Sequence, residues 1–389
     1  MVSICLAMVL HVVSAAQENR PIIRFGPATI TALFLMFFSF LSLKFGTLQT
    51  NTGWNSDIDL IYKNCAALIL MEAMATTMKR VWAMQATLLF ATLWWVKGGI
   101  RLSGAGATYS GDRLMGPAVS LIENPNGYAY MMAVMIPLYL FFYQQDQNRW
   151  RKMGFLFLVL ASIYIILQTG SRTGLLAMMA AGIFLLPKYG AKHKKVLALA
   201  AVVIFFFAGS LGELNVQRFK SIPDSFKAYF SGNIEEKDPS MMNQDEQSAW
   251  ERKMKNKHTW KLIRDNILFG VGIQSNDALV TEKYEYAGGQ VHCEILYAGK
   301  QMGLIGMTLY SSFMLTLLLS AIKIQNFTKG WWPAASDMGW TFKMQCIVFI
   351  VGGYFSPIPW NPIYLVITAS ASAAVLNLRR DYPVKPVAT

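Results

Sequence analysis

Charge is scarce in this chain. Of its 389 residues only 15% are Asp, Glu, Lys or Arg, against about 25% in a soluble domain. That scarcity excludes an ordinary soluble fold for most of the sequence. Nucleotide motifs are missing too. There is no Walker A run, no G-x-G-x-x-G after a strand and no G-x-S-x-G elbow. Chemistry built on those motifs is excluded, and no cofactor is expected. Cysteine is sparse: Cys5, Cys65, Cys293 and Cys346 have no metal-ligand spacing. Three lie in or beside apolar runs, where cysteine is usually a small core residue. A disulfide between Cys65 and Cys293 stays open as the lesser reading. Histidine is equally rare, with His11, His193, His258 and His292.

What the chain has in quantity is hydrophobic length. It is 54% hydrophobic, with a mean hydropathy of +0.35. Apolar runs recur near the ~20 residues that span a bilayer. In hydrocarbon their backbone groups must be satisfied internally, so they are predicted to be helices. No alternating β-barrel pattern is present. The expected fold is an all-α polytopic integral membrane protein of about 10–12 transmembrane helices, with residues 1–389 as one membrane domain. Candidate spans fall at 2–16, 26–45, 64–78, 81–97, 128–143, 153–169, 173–187, 196–211, 292–321, 341–357 and 361–377. The first is short and is read as a span rather than a signal peptide, because no basic region precedes it. The stretch 292–321 is long for one span and is expected to tilt, to extend above the membrane, or to break near GLIG (303–306).

The net charge of +13 is scattered over the loops, so it is no nucleic-acid signal. Arg20 and Arg24, Lys79-Arg80, QQDQNRWRK (144–152), PKYGAKHKK (187–195) and the tail with Arg379, Arg380 and Lys385 all fall on one side when the spans are counted. The positive-inside rule makes that side cytoplasmic. The opposite side receives 46–63, 98–127, the turn TGSRTG (169–174) and the long loop 212–291. Within that loop, Gln247 to Asp265 reads as a helix with Trp250, Met254, Leu262 and Ile263 on one stripe. Gly270 and Gly272 end it.

Arg172, in the TGSRTG turn, stands on the side where arginine is disfavoured. It either satisfies helix-end carbonyls or grips an anion, since a guanidinium offers planar paired donors to phosphate. In 98–127, the cations Arg101 and Arg113, with Lys97 just before them, accompany Glu123. Glu123, Asn124 and Asn126 lead into a span at Tyr128, and Asn126 is the expected N-cap there. Such a helix start is itself an anion site. His292 opens a span directly after the long loop; it is either structural or a proton acceptor near neutral pH. Glu294, two residues on, points to another face. Arg252, in SAWERK, is either solvated or a further anion ligand. Glu72 reads as a pairing group inside the bundle. Asp57 and Asp59 (SDID) have the spacing of a weak divalent-metal pair.

The segments WVKGGIRL, DRLMGPAVSLIENPNGYAYMMAVMIPL, TGSRTGLLAMMA, SAWERK followed by FGVG, and VHCEILYAGKQMGLIG resemble the O-antigen ligase and polysaccharide polymerase superfamily. They are closest in appearance to the O-glycosylation ligases found with exosortase systems. The resemblance covers about residues 95–310, the ligase-like core. It implies a membrane glycosyltransferase of the C type in a bacterial inner membrane, with its active site facing the periplasm. Such an enzyme moves a glycan from an undecaprenyl-diphosphate carrier to a glycan, lipid-core or protein hydroxyl, inverting the anomeric centre without a metal. On that resemblance Arg172 and His292 are catalytic. The resemblance also makes Arg252 functional; beyond it, the residues themselves suggest that Arg172 and Arg252, helped by Arg113 and Lys97, hold the diphosphate, with Glu123, Asn124, Asn126 and Glu294 in support. A polymerase of the same superfamily, a lipid-linked glycan flippase, and a metal-dependent transferase using Asp57 and Asp59 are the competing readings.

Overall fold

A tyrosine- and methionine-rich helix, α5 (Pro125–Gln145), forms the axis of the molecule. Every residue from Gly127 to Tyr139 is buried. A helix apolar on all sides has to be enclosed by others, and here α4 (Met78–Gly104), α6 (Arg149–Gln168), α7 (Arg172–Tyr189) and α11 (Pro333–Phe355) enclose it. In turn, α11 packs on α10 (Glu294–Thr328), and α10 on α2 (Pro27–Phe45) and α12 (Pro362–Asp381). The ring is completed by α3 (Ser56–Met74), which packs on α2 and α12, while α1 (Val2–Gln17) touches α3 at the rim. Two further helices, α8 (Glu213–Lys220) and α9 (Gln244–Asp265), come from the long loop, and α9 lies on α10. This computed structural model describes residues 2–19, 21–47, 56–106, 113–117, 122–189, 213–224, 227, 240, 242, 244–273, 280–282, 291–356 and 361–383. The expected span at 196–211 and the parts of 46–63, 98–127 and 212–291 not named there lie outside the described residues.

The protein is all-α and multi-pass. Among the described residues four helices are long and apolar enough to cross a membrane: Pro27–Phe45, Arg149–Gln168, Glu294–Thr328 and Pro362–Asp381. Arg172–Leu185 is a shorter apolar helix. Several boundaries differ from those expected. Helix α3 starts at Ser56, so Asp57 and Asp59 lie in its first turn and not in a loop. Helix α4 runs on past the expected end at 97 to Gly104 and absorbs Arg101.

Contacts sort the helix ends into two groups. At one end three arginines converge on the α3–α4 turn: Arg24 donates to Ala75 O (3.0 Å), Arg80 to Met74 O (3.2 Å) and Arg380 to Thr76 O (2.8 Å). Lys188 and Gln145 both reach Asp337 there, and Trp331 and Trp332 meet Tyr382. Among the described residues, the cationic segments around Arg24, Lys79-Arg80, 144–152, Lys188 and Arg379-Arg380 share one end; Arg20, 190–195 and Lys385 lie outside the described residues. The opposite end holds the starts of α5, α7 and α10 and the ends of α6 and α11. Near the cationic end, Glu72 is buried and accepts from Thr29 N (2.8 Å) and from the hydroxyls of Thr29 and Ser372. It satisfies the first turn of α2, the structural role expected of it.

Of the three alternatives left open for the long stretch at 292–321, helix α10 takes the break near GLIG. Met302 and Gly303 leave helical geometry, with φ of −126° and +68°. The carbonyls freed by the break are taken by the turn after α9. Val271 N donates to Lys300 O (2.9 Å) and Gly272 N to Gln301 O (3.2 Å), while Leu304 N returns a bond to Ile267 O (2.7 Å). Buried polar backbone at membrane depth is stable when paired in this way. Glycine is required at the break: a Cβ at 303 would sit 2.3 Å from Ile267 O, on a backbone with positive φ. Gly303→Ala is expected to cost on the order of 2 kcal/mol, read as a lower melting temperature in detergent. Gly154→Ala on α6, where a Cβ meets nothing within 4 Å, is the control; it should match or exceed the wild type.

Candidate active site

The turn between α6 and α7 is built to present Arg172. Thr169 caps α6, and Gly170 takes a φ of +57° that reverses the chain. Ser171 Oγ then accepts from Gly174 N (3.1 Å), an N-cap that starts α7 with Arg172 as its first residue. Arg172 is thus half-buried at a helix N-terminus, where backbone N–H groups favour an anion. A Cβ on Gly170 would lie 2.0 Å from Asn215 Oδ1. Asn215, on α8, is buried and donates to Gln168 O (3.4 Å), so the long loop is seated on this turn.

Arg113 ties the turn to α5. Its Nε donates to Thr169 O (3.0 Å) and its Nη2 to Asn126 Oδ1 (2.7 Å). The capping assignment needs correction. Asn124, not Asn126, is the N-cap of α5, and its side chain accepts from Asn126 N at 2.8 Å. Pro125 opens the helix, a position that needs no N–H donor, and this frees the Asn126 amide for Arg113.

The second cluster surrounds His292, just ahead of α10. Arg252 and Lys255, one turn apart on α9, stand close enough to act on it electrostatically. Burial first, then the charges of Arg252 and Lys255, pushes the His292 pKa down to about 4. The imidazole is therefore neutral throughout the physiological range. Cys293 caps α10 and is buried; burial pushes its thiol pKa up. Cys65 and Cys293 are both free, so the disulfide reading is overturned. Glu294 turns away from His292, as its spacing predicted. It is buried, accepts from Tyr310 Oη (2.8 Å) and lies against Gly353 of α11.

The two clusters share one end of the bundle. Tyr130, one turn below Asn126, bonds Phe349 O (3.1 Å) and fills the space beside Gly352, and the adjacent Gly353 touches Glu294. So α5 packs on α11, and α11 on Glu294 at the start of α10, at the end that holds both clusters. Other candidates are placed elsewhere. Lys97 is exposed, with its Nζ 5.6 Å over the Trp94 ring. The Glu123 side chain is exposed, and its carbonyl accepts from Gly116 N (2.9 Å). Asp57 accepts from Tyr297 Oη (3.2 Å) and Gln301 Nε2 (3.1 Å), whereas Asp59 pairs with Lys63. The two carboxylates of the D-x-D pair therefore engage different partners.

Sequence reasoning missed Lys255, Asn215 and Lys300. Lys300 is buried at the α10 break, and a lysine inside an apolar run is a visible signal. Lys255 sits three residues after Arg252, the helical spacing that puts both on one face. Asn215 carries no sequence signal at all.

Residues 155–311 match a family model described as O-Antigen ligase. The matched segment holds Arg172, Arg252 and His292 and excludes Lys97, Arg113 and Glu123 to Asn126. In a comparison with curated proteins no match is found.

Proposed function

We propose that the chain is a member of the O-antigen ligase and polymerase superfamily, whose model its residues 155–311 match, and that it transfers a glycan from an undecaprenyl-diphosphate carrier to an acceptor hydroxyl on the periplasmic side of the inner membrane. The observation that carries this reading is the placement of His292, just ahead of α10, within electrostatic reach of Arg252 and Lys255 on α9. In the proposed step the acceptor oxygen attacks the anomeric carbon opposite the diphosphate, the bond from that carbon to the diphosphate oxygen breaks, and the configuration inverts. The hydroxyl proton passes to His292, and the carrier leaves as its diphosphate. Charge grows on that leaving group, and Arg172 and Arg252, with Arg113 behind the turn, stabilise it electrostatically. Lys97, on its exposed face beside Trp94, is not assigned a part. Nothing in this step calls for a metal at Asp57 or Asp59.

The arrangement links base strength to donor binding. Arg252 and Lys255 help depress the proton affinity of His292. A diphosphate bound to the same cations offsets their charge, so His292 becomes a better base once the donor is in place. Lowered pKa means that activity depending on neutral His292 is lost only as pH falls through about 4 in the free enzyme. The acid limb of kcat/KM, which reports free enzyme, is expected near there. That of kcat, which reports the donor complex, is expected at higher pH. Transfer of a labelled glycan from purified undecaprenyl-diphosphate donor, measured across pH 4–8 as a rough working range, tests both the activity and the offset. No transfer to any hydroxyl acceptor from that donor would sink the proposal.

A further inference from the structure

An apolar groove of about 680 Å³ opens at the cationic end, remote from the candidate active site. One wall is a single stripe of α4: Arg80, Ala83, Thr87 and Ala91, at helical spacing. Met71 and Met74 of α3 form its floor. The opposite wall is α1, which contributes Leu10 and His11 and packs on the bundle through α3. From Arg80 to Ala91 the stripe runs about 16 Å at the helical rise. That is roughly half the ~30 Å hydrocarbon core, the depth of one leaflet.

The mouth of the groove is cationic. Met74 and Ala75, which line it, carry the carbonyls that Arg80 and Arg24 bind, and Arg380 holds the next one. Arg80 uses Nη1 for Met74 O and for Thr76 Oγ1 (2.8 Å); among the described residues Nε and Nη2 are left for a ligand. On the α1 side, His11 Nε2 donates to Ile22 O (2.8 Å), and Glu18 is the acid at that rim, bonded by Ser14 at 2.9 Å. An apolar trough one leaflet deep, ending at converging guanidiniums, matches a lipid with an anionic headgroup. We infer that this groove binds one anionic phospholipid of the leaflet at the cationic end, with an acyl chain along the α4 stripe and its phosphate on Arg80.

The test uses the full chain purified in neutral detergent and titrated with phosphatidylglycerol or with phosphatidylcholine of the same acyl chains. Bound lipid is counted by native mass spectrometry. One phosphatidylglycerol per chain is expected, held at least about tenfold more tightly than phosphatidylcholine. Arg80→Gln, whose amide can still bond the turn, should weaken phosphatidylglycerol about fivefold, the worth of one basic residue at a membrane surface. Ala83→Phe should block retention while leaving glycan transfer unchanged. Equal retention of the two lipids, wild-type retention by Ala83→Phe, or a dimer that Ala83→Phe dissociates would each overturn the inference. If Ala83→Phe does not accumulate, Arg80→Gln decides alone, and wild-type affinity in that variant rejects the site.

Discussion

An Arg172→Lys protein is expected to fold, enter the membrane and bind the lipid-linked donor, yet to transfer its glycan about a hundredfold more slowly than the wild type. The turn that carries residue 172 is held by other groups: the Thr169 cap, the positive φ of Gly170 and the Ser171 bond to Gly174 N. Changing the side chain at 172 leaves those bonds in place. Lysine keeps the charge but loses the planar pair of donors that matches phosphate oxygens. The loss should therefore fall on kcat, where leaving-group charge is greatest, with KM within a few-fold. Initial rates in reconstituted membranes, with the melting temperature alongside, separate this from a purely structural role. A variant with wild-type kcat and a lowered melting temperature would return Arg172 to the reading in which it only satisfies helix ends.

Removing the base is expected to do at least as much. His292→Ala should lower kcat by roughly 10²–10⁴, the usual contribution of a positioned general base, with donor affinity nearly unchanged. Arg252 supplies an independent check through charge alone. Its guanidinium, after burial, is the next cause of the depressed His292 pKa. Arg252→Ala should therefore raise that pKa, and the acid limb of kcat/KM should move up towards the ordinary histidine range near 6.5. A limb that stays near about 4 in this variant would place Arg252 outside the electrostatic reach of His292. A limb that moves while kcat also drops is the expected pattern for a residue that both holds the diphosphate and tunes the base.

How much of this was readable in advance depended on how local the cause was. The all-α class, the shared end of the basic segments and the break in α10 all follow from hydropathy, charge sign and a glycine run. Those properties act within a few residues. The cap of α5 was misplaced by two residues because Asn124 and Asn126 are equally good caps in isolation. What decides between them is Arg113, thirteen residues before Asn126, which donates to the Asn126 side-chain oxygen. Lys97 looked like one of a set of outward cations, but it stands on the exposed face of α4 beside Trp94, and which face of the helix is covered depends on the neighbouring helices. Asp57 and Asp59 suggested one metal pair; placing both in a helix sends them to separate partners two positions apart. The depression of His292 needed α9 to fold back onto α10, and no single-sequence pattern encodes that distance.

The interlocked backbones at 267–272 and 300–304 have a consequence for accuracy. Arg252 and Lys255 belong to a helix contributed by the long loop, and His292 belongs to the membrane bundle. Side chains alone would register such parts loosely, because each long cationic chain has several rotamers. Here two peptide N–H groups from the α9 turn and one from α10 close a short ladder across the joint, and Gly270 and Gly303 let the chains come close enough to form it. Registration is therefore carried by the main chain. The long loop can vary in sequence beyond that joint while the spacing of histidine and arginine is kept, much as a jig fixes two tools whatever their handles are made of.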